Sequence, residues 1–76
     1  MNQSVLKLLG QRLRERRISL GWTQEDLADH ANIDRSYVGG VERGIRNLTF
    51  TVLCQLCKAL GCDVATITKD IPDVHP

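Results

Sequence analysis

The stretch SVLKLLGQRLRERRISL, residues 4–20, places Leu6, Leu9 and Leu13 at i, i+3 and i+7 with arginines filling the other faces. That spacing marks one side of a 3.6-residue helix and predicts an amphipathic helix ending at Gly21, a natural stop signal. TQEDLADHA, residues 23–31, follows with a different signature. Thr23 with Asp26 three residues later resembles a capping box, aspartate standing in the glutamate position, and Leu27 and Ala28 supply a small apolar face. This second helix is short because NID at 32–34 interrupts it: Asn32 tolerates a left-handed turn and Asp34 is a good N-cap. A third helix is expected from Arg35 to about Arg43, ending at Gly44. After the connecting loop IRNLT, Thr49 can cap a fourth helix, FTVLCQLCKAL, with Phe50, Leu53, Leu56, Cys57 and Leu60 inward and Gly61 as terminator. Asp63 can cap a last short helix, VATIT. No segment alternates convincingly at period two, so the expected fold class is all-α.

Composition narrows what such a chain can be. At 76 residues there is room for one domain. A helical domain is expected over 1–69, and residues 70–76, with two prolines and little to hold them, are expected to be a flexible tail. A core this small is only marginally stable alone, which favours oligomerisation. The apolar fraction of 42% and charged fraction of 25% fit a folded globular domain rather than a disordered segment. A net charge of +1 neither advertises nor excludes nucleic acid, so any basic surface must come from local clustering. No export signal or membrane span is visible. With three unpaired-looking cysteines, the chain reads as cytoplasmic, associated with the nucleoid if it binds DNA.

Two short helices joined by a three- to four-residue turn form the helix-turn-helix pattern. Here Ala28 lets the helices approach, Asn32 takes the left-handed turn, and Ile33, Val38 and Val41 tie the second helix to the core. These positions make different physical demands, and all are met at the right spacing. With Arg35 as origin and about 100° per residue, Gly39, Arg43, Ser36 and Gly40 fall within roughly 40° to 140°. Tyr37, Val41 and Val38 fall within roughly 200° to 300°. One face is therefore apolar and the other is arginine, serine and glycine.

LGQRLRERR, GWTQEDLA, ANIDRSYVGGVERG, RN and LCKALG, spread over residues 9–67, resemble the Cro/repressor-like (XRE-type) helix-turn-helix family. Among its small members the chain looks most like restriction–modification controller proteins. The resemblance implies a compact five-helix, lambda-repressor-like domain. It implies a homodimer acting on a pseudo-palindromic operator in double-stranded DNA, regulating its own promoter by occlusion or by contact with RNA polymerase. A phage-type repressor or the antitoxin of a toxin–antitoxin pair shares these motifs and is the alternative. The family's base contacts carry over to Arg35, Ser36 and Gly40, and its phosphate clamp to Gln24. Arg43, Arg46 and Asn47 are expected on the DNA backbone. Arg17 and Glu42 match a partly buried ion pair in the family. The dimer interface is expected at the end of the fourth helix and the fifth, with Val52, Val64 and Ile67 as candidates. The sequence departs from the usual pattern at Asn32, Leu48, Cys57 and Cys62, all packing positions.

Plainer readings hold elsewhere. Arg12, Arg14 and Arg16 are expected on a solvated face, Tyr37 and Trp22 as packing residues, and His30 and His75 on the surface. CQLC has C-x2-C spacing, but one such pair with a third cysteine and no nearby histidine does not make a tetrahedral metal set. No nucleophile–base pair or phosphate loop is visible, so no enzyme, cofactor or small-molecule effector is expected. Gly39 and Gly40 are expected on the DNA-facing side. There they either let the helix approach the groove floor or are simply tolerated on an open face, at a cost of about 1 kcal/mol each relative to alanine.

Overall fold

Five helices follow one another: α1 (Gln3–Ser19), α2 (Gln24–Ala31), α3 (Arg35–Glu42), α4 (Phe50–Leu60) and α5 (Val64–Thr68). The structure is a computed structural model and describes residues 3–72. Among the described residues there is no strand, and no helix is long and apolar enough to cross a membrane.

The caps expected from sequence set these boundaries. Gly21 adopts φ +75° and turns the chain after α1. The Thr23 hydroxyl accepts the Asp26 N–H at 3.0 Å while the Asp26 carboxylate accepts the Thr23 N–H at 2.8 Å, completing the capping box. Asn32, at φ 57°, ends α2 in the left-handed conformation. Asp34, Thr49 and Asp63 cap α3, α4 and α5 through side-chain oxygens, and Gly61 closes α4 at φ +71°.

The apolar stripes meet in one core. Leu9 and Leu13 of α1, Leu27, Ala28 and Ala31 of α2, and Val38 and Val41 of α3 pack with Leu53, Leu56, Cys57 and Leu60 of α4 and Ile67 of α5. Fully burying one such leucine is worth about 1.5–3 kcal/mol, so this cluster outweighs any single surface contact.

Two expectations are corrected. Phe50, expected inward, is 69% exposed, and the partly buried Leu48 and Val52 pack against the core instead. Helical periodicity assigns a face but not where along the helix its neighbours begin. Arg12 and Arg16 do not lie free on a solvated face. Arg12 donates to the carbonyl oxygens of Ile67 at 3.0 Å and of Lys69, while Arg16 Nε donates to that of Leu60 at 3.0 Å. Both arginines place positive charge at helix C-termini, α5 and α4 respectively, where carbonyl oxygens lack helical partners. Ile71 lies within the expected flexible tail, yet it packs against the core and its N–H reaches the Thr68 carbonyl at 2.9 Å. Residues 73–76 of that tail, His75 among them, lie outside the described residues.

Candidate nucleic-acid interface

The turn at 32–34 folds α3 across α2, and Val38 and Val41 anchor α3 to the core. Arg35, Ser36 and Arg43 are left exposed on the opposite side. Arg35, the first residue of α3, is exposed. The Ser36 hydroxyl is already engaged, donating to the Asp34 carboxylate, whose other bond is to the Ser36 N–H at 3.1 Å. That Ser36 hydroxyl bond is the largest influence holding the Asp34 carboxyl below its ordinary pKa.

Beneath this surface lies the Arg17–Glu42 pair that the family resemblance implies. Arg17 Nε meets Glu42 Oε2 at 2.7 Å and Nη2 meets Oε1 at 3.0 Å, both residues being only 8% exposed. Arg17 Nη1 donates to the Trp22 carbonyl at 2.6 Å, and the hydrogen bond to Glu42 raises the Arg17 pKa above its ordinary value. Gln24 joins the network through Nε2, which donates to Glu42 Oε1 at 3.2 Å. One of its amide hydrogens is thereby held, leaving the other to donate outward. The network connects α1, the start of α2 and the end of α3.

The two glycines of α3 are not on an open face; both are buried. A Cβ on Gly39 would lie 3.3 Å from Arg43 Nη1 and 3.4 Å from Gln24 Oε1. A Cβ on Gly40 would lie 2.6 Å from Arg46 Cγ. Side chains from α2, the end of α3 and the following loop thus lie across the helix where glycine makes room. The expected bare approach to a groove floor is corrected accordingly: at Gly40, the surface presented is the stem of Arg46. Arg46 Cζ stands 5.4 Å from the centroid of the Tyr37 ring, within cation–π range. Gln24, Arg43 and Arg46 are therefore brought together around Gly39 and Gly40 of α3, and Asn47 is exposed in the loop that follows.

The candidate dimer residues are placed differently from one another. Val52 and Val64 are half-buried, whereas Ile67 is 4% exposed and belongs to the core, so it offers no surface to a second chain. Sequence reasoning overlooked Gly10. A Cβ there would lie 2.3 Å from the Val41 carbonyl oxygen and 2.7 Å from that of Glu42, so α1 crosses α3 at backbone contact. A glycine inside an otherwise regular amphipathic helix was the available signal for such a crossing. Of the packing expectations, Trp22 and Tyr37 do pack against the core, and His30 stacks on Trp22 with centroids 4.1 Å apart.

A helix-turn-helix family profile matches residues 13–67. The chain is 47% identical to the restriction–modification controller protein C.AhdI from Aeromonas hydrophila, whose crystal structure superposes with a TM-score of 0.80 over 82% of this chain and 94% of that one. The controller protein C.Esp1396I, solved as a tetramer on its natural 35 base-pair operator, is 35% identical with a TM-score of 0.79 over 86% of each chain. The control protein C.BamHI of Bacillus amyloliquefaciens is 36% identical over 62 residues, covering 80% of this chain and 76% of that protein. A longer relative, a hypothetical transcription factor of Neisseria meningitidis, is 36% identical and is matched over only 56% of its length. The chain belongs to the XRE-type helix-turn-helix family of transcription regulators and is similar within it to restriction–modification controller proteins.

Proposed function

We propose that this chain is a sequence-specific transcriptional regulator that binds a pseudo-palindromic operator as a homodimer and controls its own promoter, as a restriction–modification controller. The observation that carries this reading is α3 itself. Its inner side is anchored by Val38 and Val41, and its outer side offers Arg35 and Arg43 with Gln24 and Arg46 beside them.

With α3 in the major groove, Arg35 at its start donates two hydrogen bonds to a guanine edge, a contact worth about 1–3 kcal/mol of discrimination. Ser36, whose hydroxyl hydrogen is given to Asp34, can only accept from a base edge and adds little information. Gln24, Arg43, Arg46 and Asn47 fix register on the phosphates, which makes affinity fall with salt despite a net charge of +1. One α3 reads only a few base pairs, and two-fold symmetry doubles that, with half-sites about one helical turn apart. Val52 and Val64 are the remaining candidates for the dimer face. Regulation then follows from promoter occlusion or from contact with RNA polymerase at an upstream site.

Sedimentation velocity of the free chain, combined with fluorescence anisotropy on DNA from upstream of its own gene, tests this. A dimer that binds that DNA in preference to scrambled duplex is expected. A stable monomer at micromolar concentration contradicts the dimer, and equal affinity for scrambled DNA contradicts sequence-specific control.

A further inference from the structure

We propose that Gly40 is a positioning residue: with the Tyr37 ring it forms a seat that holds Arg46 across α3, so that the guanidinium meets DNA already ordered. This rests on α3 being the DNA-facing helix. A Cβ on Gly40 would lie 2.6 Å from Arg46 Cγ, 3.4 Å from Nε and 3.6 Å from Cδ, so the arginine stem occupies the space a side chain would fill. The contact involves the base of the stem rather than its far end, so alanine moves the whole side chain. Tyr37 packs against the core and supplies the second wall, with Arg46 Cζ 5.4 Å from its ring centroid.

The backbone fixes the distance between the seat and its occupant. The Ile45 N–H donates to the Gly40 carbonyl at 3.1 Å, and Gly44, at φ +75°, turns the chain back over the helix. Gly44 is itself held, because a Cβ there would lie 2.7 Å from Lys7 Cα on α1. Residue 46 is thereby delivered beside Gly40 by a loop with little freedom. A long arginine normally loses much rotamer freedom on binding, and a seat takes that loss during folding instead.

Gly40→Ala and Arg46→Ala, separately and together, test this by DNA affinity across a salt series. Gly40→Ala should retain the helical circular dichroism and thermal midpoint of the wild type. Each single variant should weaken binding by about fivefold or more and lower the salt slope by about 1. In the Arg46→Ala background, Gly40→Ala should change nothing further. An equal loss in both backgrounds, an unchanged salt slope, or wild-type affinity in Gly40→Ala overturns the proposal. A readout without DNA separates the seat from the DNA-binding reading. The Arg46 side-chain methylene protons should be shifted upfield by the Tyr37 ring, and the shift should vanish in Gly40→Ala and in Tyr37→Leu. If the wild type shows that shift but binds no DNA, the proposed function fails while the seat stands. If the shift is absent from the wild type, the seat itself is refuted.

Discussion

Arg17 on α1 and Glu42, the last residue of α3, are joined at two points, Nε to Oε2 at 2.7 Å and Nη2 to Oε1 at 3.0 Å, with almost no water access. Glu42 also receives Gln24 from the start of α2, so one carboxylate ties together the three helices that build the proposed DNA-facing surface. A buried pair contributes little net stability, but removing one partner strands the other charge. Glu42→Ala should therefore cost about 3–5 kcal/mol in denaturant unfolding. Glu42→Gln should cost less and should still weaken DNA binding, because the Arg17 charge is no longer matched. A loss below about 1 kcal/mol for Glu42→Ala would show that the Arg17 charge finds water when its partner is gone.

Gly10→Ala and Gly40→Ala should differ in their effect on stability. At Gly10 the added carbon meets the backbone oxygens of Val41 and Glu42 at 2.3 and 2.7 Å, which cannot move without shifting α3. The overpacking cost of about 1–3 kcal/mol exceeds the helix-propensity gain of about 1 kcal/mol. At Gly40 the obstacle is the Cγ of the surface Arg46, 2.6 Å away, whose stem must swing aside and so offsets the propensity gain. Thermal melts of the two variants side by side check this: Gly10→Ala should melt below the wild type and Gly40→Ala close to it.

Acid should loosen the helix starts before anything else. Asp26, bonded to the backbone and hydroxyl of Thr23, Asp34, bonded to Ser36, and Asp63, bonded to Thr66, all have pKa values below the ordinary aspartate value. A depressed folded-state pKa means the folded chain binds fewer protons than the unfolded chain. The stabilisation is therefore complete above the unfolded value of about 3.9 and disappears as pH falls through the lower folded values. Unfolding free energy measured from pH 6 to pH 2 should be flat at first and then fall below about pH 4. Asp26→Asn, which cannot titrate, should make that fall shallower.

Cysteine reactivity should divide along burial. Burial, helped by its neighbour Cys62, pushes the Cys57 thiol up to about 12, so at neutral pH it is a protonated core side chain. Cys54 and Cys62 are only half-buried. Alkylation of the native chain at pH 7.5, followed by peptide mass spectrometry, should modify Cys54 and Cys62 and leave Cys57 unmodified until denaturant is added. Labelling of Cys57 at the same rate as the others would show that the α4–α5 end of the core opens readily.

Much of this fold was legible because its signals are local. Thr23 with Asp26, Asn32, Asp34, Thr49, Gly61 and Asp63 each act within a few residues of themselves, and all of them cap or turn where expected. Leu9, Leu13, Leu27, Leu53, Leu56 and Leu60 reach the core for the same reason. What was hidden depends on contacts between distant segments. Gly10 reads as an imperfection in α1 until Val41 lies against it, and Arg12 and Arg16 look solvated until the ends of α5 and α4 arrive. A helical wheel correctly separates Gly39 and Gly40 from Val38 and Val41. It places Arg43 on the same face as Gly39 but carries no information about Gln24 and Arg46, which also lie across those glycines. Around α3, the face on which a residue lies was therefore easier to anticipate than the surface the residues make.

In-vitro selection of bound duplexes from a random pool, run with the wild type and with Arg35→Ala, asks whether α3 reads DNA with Arg35 as its base-reading residue. The wild type should enrich a pseudo-palindrome whose half-sites lie about one helical turn apart and contain a fixed guanine. Arg35→Ala should lose the preference at that guanine while retaining the half-site spacing. An identical enriched motif from both proteins, or no enrichment by the wild type, would contradict the account.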